Sequence, residues 1–285
     1  MIVEYKSPQL FLEASEHFLE KRELENNLIL GICNGFADKA QVQESCVFIS
    51  AFSGNEVKAA SIKTAANAII ACQGIENIYI KELADYYREK NIELQGVFGE
   101  ERCANEFSNF YGKQPFINMI LMVHRLTTVN KLPLASGKFE MAGSNDVDLV
   151  AEWSMTFEEE KNPAVRKSKE QVLKSTQSKI ASCDVFKWTD NGKVVSIAAI
   201  NRKTRNAGIV GLVYTPKQYR RRGYATSHVQ RLSEYILQKG FKYCGLFTDK
   251  ANPTSNHIYK KIGYEPVAEF VDIGYLPGMP DQPIG

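Results

Sequence analysis

The sequence predicts an α/β protein built as two tandem copies of one helix-and-strand plan. Three observations predict it. The chain has 285 residues, long for one domain and comfortable for two. Its apolar pattern switches repeatedly between helical spacing and strand-length runs. The order of elements in the first half returns in the second after roughly 135–140 residues, as a duplicated unit would.

In the first half, Ser7 is placed to cap a helix whose first turn takes Pro8, and Leu10, Phe11, Ala14 and Phe18 follow at helical spacing. A second helix fits residues 24–39 through Leu28, Leu30, Ile32 and Phe36. Val47 to Phe52 reads as a strand, Ser53-Gly54-Asn55 as a turn, and Val57 to Ile62 as its partner. Ala68 to Ala71 is a third strand. Residues 78–90 are helical, with Leu83, Ala84 and Tyr87 on one face. Leu94 to Phe98 reads as strand, 100–111 as helix, and Phe116 to His124 as a last apolar run. The stretch Thr127 to Lys138 has Pro133, Ser136 and Gly137 and no periodicity. It marks the boundary between a domain at 1–134 and one at 135–285.

The second half repeats the plan. Phe139 to Ala142 is a candidate strand. Asp146 to Phe157 is a helix carrying Val147, Leu149, Val150, Trp153 and Phe157, and residues 164–182 form a more polar one. Val185 to Trp188 and Val194 to Ile200 flank Asp190-Asn191-Gly192, whose Asn-Gly is a strong hairpin signal. Gly208 to Tyr214 is the fourth strand. A helix follows from about Ala225 to Lys239 and stops at Gly240. Tyr243 to Thr248 is strand, Pro253 to Ile262 helix, and Val267 to Tyr275 strand.

Bulk properties exclude several classes. A net charge of +2 lacks the basic excess of a dedicated nucleic-acid binder and gives no reason to expect a membrane surface as partner. The apolar runs are strand-sized, far below the roughly 20 residues of a spanning helix. Met1 to Lys6 lacks the apolar core of a secretion signal. The six cysteines, Cys33, Cys46, Cys72, Cys103, Cys183 and Cys244, are scattered without a Cys-x-x-Cys pair. Their spacing implies free thiols in a reducing compartment and no metal site. A cytoplasmic location is the expectation.

Two segments carry chemistry. The first is Tyr219-Arg220-Arg221-Arg222-Gly223-Tyr224-Ala225, between a strand and a helix on which Ala225, Val229, Leu232 and Ile236 share a face. A small-residue turn entering a helix presents unpaired backbone N–H groups at the positive end of the helix dipole, an anion site suited to a pyrophosphate. Gly223 allows close approach, and the arginines with Lys217 add positive charge. A plain basic turn is the competing reading. No Walker loop or Gly-x-Gly-x-x-Gly fingerprint is present. The second segment runs from Asn252 to Tyr264. Asn252 suits an N-cap and Pro253 the first turn, and Asn252, Ser255, Asn256 and Tyr259 share one helix face.

Together the two segments resemble the GNAT superfamily of N-acetyltransferases. Arg220, Gly223 and Ala225 match that family's Arg/Gln-x-x-Gly-x-Gly/Ala turn. Asn252, Ser255, Tyr259, Gly263 and Tyr264 match its Asn-x-x-Ala-x-x-x-Tyr-x-x-x-Gly-Phe helix, with Ser for Ala and Tyr for Phe. The resemblance implies two tandem GNAT-like domains, each a mixed, mostly antiparallel twisted sheet flanked by helices, the first a degenerate copy without a cofactor loop. It implies acetyl-CoA as co-substrate and a primary amine of a small molecule or peptide as acceptor. The pantetheine arm would bond Val213, Tyr214 and Thr215. The pyrophosphate would meet Arg220 and the amides of Arg221, Arg222, Gly223, Tyr224, Ala225 and Thr226, with Asn252 and Ser255 beside the arm. Tyr259 would be the general acid, since a phenol of reference pKa about 10 stays protonated at neutral pH.

No motif assigns a general base. Glu152, Glu158, Glu159 and Glu160 are candidates, against the simpler reading of a solvated acidic helix end. His228 and His257 read as structural or surface residues, and Trp153 and Trp188 as core. A non-catalytic acyl-CoA-binding module, and a transferase using another acyl donor, are the alternatives.

Overall fold

The computed structural model describes residues 1–37, 45–64, 66–74, 77–161 and 168–276. They pack into two compact units. Met1–Val123 joins Phe247–Asn252 and the described residues from Pro266 on, and His124–Leu246 joins Pro253–Glu265.

The first half of the chain forms β1 (Ile2–Glu4), α1 (Pro8–Glu20), α2 (Asn27–Ala37), β2 (Val47–Ser53), β3 (Glu56–Lys63), β4 (Asn67–Cys72), α3 (Asn77–Glu89), β5 (Gly96–Glu100), α4 (Glu101–Tyr111) and β6 (Pro115–Leu126). The second half forms β7 (Lys138–Met141), α5 (Val147–Lys161), α6 (Lys169–Ala181), β8 (Val185–Asp190), β9 (Lys193–Lys203), β10 (Ala207–Tyr214), α7 (Tyr224–Gln238), β11 (Tyr243–Asp249), α8 (Pro253–Ile262) and β12 (Glu265–Tyr275). The expected ends of two helices, 38–39 and 164–167, lie outside the described residues. Ser7 caps α1 as its side chain suggests, accepting from Leu10 N at 3.2 Å.

In the first unit the strands run β1-β2-β3-β4-β5-β12-β6. The β4–β5 pair is parallel, and the pairs β1–β2, β2–β3, β3–β4 and β5–β12 are antiparallel. The last strand of the chain thus completes the first unit, with Val271 opposite Gly99. Period-two alternation sorts β2 between two cores. Val47, Ile49 and Ala51 meet Leu83, Tyr87 and Phe107 of α3 and α4. Phe48 meets Phe11, Phe18 and Ile29 of α1 and α2.

The second unit repeats this arrangement in the order β11-β10-β9-β8-β7. Among its described pairings, only β10–β11 is parallel. The crossover through α7 makes that pair parallel, because a two-residue hairpin joins only antiparallel strands. Phe186, Ala198, Ile200 and Val210 pack toward Val229, Leu232 and Ile236 of α7 and Ile262 of α8. Val185, Ile197, Ala199 and Tyr214 pack toward Val150 of α5 and Ile180 of α6. The Asn-Gly hairpin forms with φ of +47° and +73° at Asn191 and Gly192, the positive pair that such a turn demands. The α/β class and the mixed, mostly antiparallel sheets are as the sequence predicts. No helix among the described residues is long and apolar enough to cross a membrane.

One expectation fails. Cys72 and Cys103 are joined in a disulfide with Cα atoms 6.3 Å apart, and Cys33, Cys46, Cys183 and Cys244 stand outside any disulfide among the described residues. The pair is 31 residues apart in sequence, so spacing conceals it; the end of β4 and the first turn of α4 bring it together. Thiol titration of the unfolded, unreduced protein is expected to count four free thiols. Cys72→Ser is expected to lower unfolding stability by about 3–4 kcal/mol through the lost cross-link, measured by urea denaturation. A count of six would contradict the pairing.

Candidate active site

The site is built on the end of β10. Pairing between β10 and β11 covers Ala207 to Val210 and stops at Val210 opposite Leu246, while β10 runs on to Tyr214. Ala207 to Val210 are buried, and Gly211, Leu212 and Val213 become half-exposed. Among the described pairings, the edge of β10 facing β11 therefore has no strand partner past Val210.

A bulge changes what this end presents. Simple alternation from Val210 would place Leu212 on the α7 face. The register slips between Gly211 and Tyr214, and Leu212 takes φ +50°. A bulge inserts one residue and so exchanges faces. Leu212 and Tyr214 pack with the α5 and α6 cluster, and Val213 with the α7 and α8 cluster. Gly211 is required here, because a Cβ would come within 1.9 Å of Asn201 Nδ2.

After β10 the chain makes a short 3-10 turn at Lys217–Tyr219 and enters α7 through the arginine loop. Arg221 has φ +63° and Gly223 has φ +79° with ψ 0°. Gly223 holds the N-cap position without any side-chain cap, and the first N–H of α7 to reach a backbone acceptor is that of Ser227, on Gly223 O at 3.0 Å. The N–H groups of Tyr224, Ala225 and Thr226 precede it, unpaired by helix geometry. An uncapped N-terminus of this kind is an anion site.

The loop is anchored at both ends. Arg220 Nε donates to Thr215 O at 2.8 Å, its guanidinium bonds Glu160 of α5 at 2.6 Å, and it lies 5.9 Å from the centre of the Tyr214 ring. The Arg220 side chain thus ties α5 to the strand end, while Arg221 and Arg222 are exposed. Tyr224 turns inward and donates to Asp190 at 2.6 Å, where Ser136 also donates at 3.0 Å. Ser227 accepts from Ala135 N at 2.8 Å, so the segment before β7 straps α7 in place.

A buried polar relay fixes the strand end. Ser196 Oγ donates to Tyr214 O at 3.1 Å and accepts from Thr215 Oγ1 at 3.0 Å. Its hydrogen is then committed, so His228 Nδ1, 3.2 Å away, must be the donor. Among the described residues, His228 Nε2 is buried without a hydrogen-bond partner. A second proton there would be unsolvated, and burial pushes the imidazole from 6.5 down to about 3. The depressed value has a definite sign: stability is complete above about 6.5 and is lost as pH falls toward about 3. The loss is expected to reach a few kcal/mol, and His228→Gln should flatten it, as urea midpoints at pH 7 and pH 4 would show.

On α8, Tyr259 is half-buried against Tyr264, with ring centres 5.8 Å apart, and packs on the cluster that also takes Val213. Its hydroxyl has no hydrogen-bond partner among the described residues, and burial alone pushes the phenol up to about 12. Ser255 is half-buried in the first turn; Asn252 immediately precedes the helix and donates its N–H to Asp249 O at 3.0 Å. Tyr264 bonds Ser233 of α7 at 2.8 Å and so couples the two helices.

Of the acidic candidates, Glu160 pairs with Arg220 and Glu158 lines a cavity beneath α5 and α6. Trp188 is buried, Trp153 packs edge-on to Tyr214, and His257 is exposed. Sequence reasoning missed Ser196 and Asp190, whose partners are distant in the chain.

The split strand end, the uncapped helix entry and the following tyrosine helix thus lie next to one another along the second half of the chain. Residues 191–271, which span both motifs, match the family model described as FR47-like protein. An acetyltransferase from the GNAT family of Colwellia psychrerythraea is 12% identical over 97% of this chain and 100% of that chain, with a TM-score of 0.62. A GCN5-related N-acetyltransferase of Sphaerobacter thermophilus is 13% identical over 98% and 97%, with a TM-score of 0.66. A tandem GNAT protein from the clavulanic acid biosynthesis pathway is 10% identical over 98% and 99%, with a TM-score of 0.57. No curated protein sequence matches. At these identities the likeness establishes the fold: this chain has the tandem GNAT fold.

Proposed function

We propose that the chain is an acetyl-CoA-dependent N-acetyltransferase acting on a primary amine, with the site in the second unit. The observation that carries the reading is the uncapped N-terminus of α7 under Gly223, one short turn beyond a strand end that has left its partner. Backbone N–H groups of Tyr224, Ala225 and Thr226, with Arg221 and Arg222, fit a pyrophosphate. The open edge at Val213 fits an amide-bearing arm, and Asn252 and Ser255 are the further contacts that the family pattern implies. Acetyl-CoA supplies a thioester acyl group, which an amine takes with loss of the thiol. Tyr259, protonated throughout the neutral range, donates to the departing sulfur, and backbone N–H on β10 can polarise the carbonyl.

The first unit is the copy without a cofactor. It has no arginine-glycine turn between Ile70 and Leu94. Cys72 ends β4 and Cys103 is the third residue of α4, the places that Tyr214 and Ser255 hold on β10 and α8. The disulfide bridges where an arm would pass, which supports one cofactor per chain. The test is CoA release from acetyl-CoA over a panel of primary amines. Turnover above the amine-free rate supports the reading; acetyl-CoA binding with no turnover on any amine would favour a binding module.

A further inference from the structure

Resting on the transferase reading, we infer that the cavity between α5, α6 and the sheet of the second unit takes a diamine as acceptor, and that Glu158 holds the ammonium that does not react. Its volume of about 420 Å³ suits a small molecule. Val150, Phe157 and Val172 give apolar walls, and Leu212 closes one side. Leu212 reaches this face only because of the bulge, so the cavity adjoins the part of β10 that has left β11. The acyl group of the proposed donor would lie at that split.

Glu158 is the one carboxylate on the cavity wall among the described residues. It is half-buried, and no hydrogen bond or ion pair ties it to another described residue. The other acidic residues of this helix face are placed differently: Glu160 bonds Arg220, and Glu152 and Glu159 are exposed. A carboxylate in a partly apolar space favours a cationic ligand group. It also favours the charged form of any amine it touches. An amine attacks through its lone pair, so a carboxylate serves poorly beside the reacting nitrogen and well beside a second one. Of two nitrogens joined by methylenes, one is anchored as an ammonium at Glu158 and the other is free to reach the acyl group. The apolar walls then cover the chain between them. Lys179, the other charged side chain on the wall, stands away from Glu158 and donates to Asn201 Oδ1 at 3.0 Å. Helices α5 and α6 are consecutive and pack on each other, as antiparallel neighbours do. Glu158, near the end of α5, therefore lies toward Gln171 of α6, eight residues or about 12 Å from Lys179.

The experiment compares straight-chain α,ω-diamines, from diaminopropane to diaminohexane, with the n-alkylamines of the same lengths as acceptors, by CoA release, for wild type, Glu158→Gln and Glu158→Asp. Acetyl-CoA affinity is measured in parallel by calorimetry, with thermal denaturation as the folding control. At least one diamine should be acetylated with kcat/KM about tenfold or more above its monoamine, the scale of one charged hydrogen bond. Glu158→Gln should raise the KM of that diamine at least tenfold more than the KM of the monoamine, with acetyl-CoA affinity unchanged. Glu158→Asp should retain part of the preference. Acetyl-CoA binding with monoamines acetylated as well as diamines, or better, overturns the inference and leaves the transferase reading standing. So does a Glu158→Gln protein that loses both acceptors alike, since a merely structural role would do that. A wild-type protein that does not bind acetyl-CoA, or binds it and acetylates no amine, overturns the transferase reading itself, and this inference with it.

Discussion

Gly223→Val is expected to weaken acetyl-CoA binding at least 100-fold while the protein stays folded. Gly223 sits at φ +79°, where a β-branched residue is a genuine outlier and any Cβ costs about 1–2 kcal/mol. The site is open, since an added Cβ would meet nothing nearer than Ala135 Cβ at 3.6 Å. The loop can therefore relax, and relaxation turns the N–H groups of Tyr224, Ala225 and Thr226 away from a common anion. Hydrogen bonds to a charged group contribute about 1.5–3 kcal/mol each, so losing two of them gives the expected factor. Gly223→Ala should fall between, at roughly tenfold, since it adds the αL penalty without the branch. Calorimetric titration with acetyl-CoA checks both, with thermal denaturation as the folding control.

Tyr259→Phe is expected to lower kcat by roughly 10²-fold, the scale of a lost general acid, with acetyl-CoA affinity unchanged. Among the described residues the hydroxyl has no hydrogen-bond partner to lose, so stability should stay within about 0.5 kcal/mol. Because the phenol is raised to about 12, Tyr259 remains protonated and should cause no alkaline fall in rate below pH 10. The raised value also favours the fold: that contribution is complete below about 10 and is lost as pH climbs through about 12. Steady-state kinetics across pH 6–10 for both proteins would decide it. Equal rates would remove Tyr259 from the mechanism.

What the sequence made legible was local. The arginine loop and the Asn252 helix announce themselves because capping, small residues and helix entry act within one turn. The repeat of element order was legible for the same reason, each strand and helix carrying its own period. Features that depend on distant partners were not. Ser196 meets Tyr214 across 18 residues and His228 across 32, and Tyr224 reaches Asp190 across 34. No spacing rule selects those pairs. Arg220 reads as a phosphate ligand by its motif, yet its guanidinium bonds Glu160, 60 residues back. Strand β1 is three residues long, too short for any period to show. Strand β12 pairs with β5 from the far end of the chain, an assignment that local pattern cannot make. The bulge at Leu212 leaves only Gly211 as a trace, and its meaning appears once Asn201 is seen in the space of the missing Cβ.

Acetyl-CoA is proposed to bind at one site, the N-terminus of α7. Isothermal titration of the intact chain with acetyl-CoA tests it most directly, run beside Gly223→Val. One equivalent is expected to bind per wild-type chain, and none to the variant at the same concentrations. No binding by the wild type, a second equivalent, or binding undiminished in Gly223→Val would contradict it.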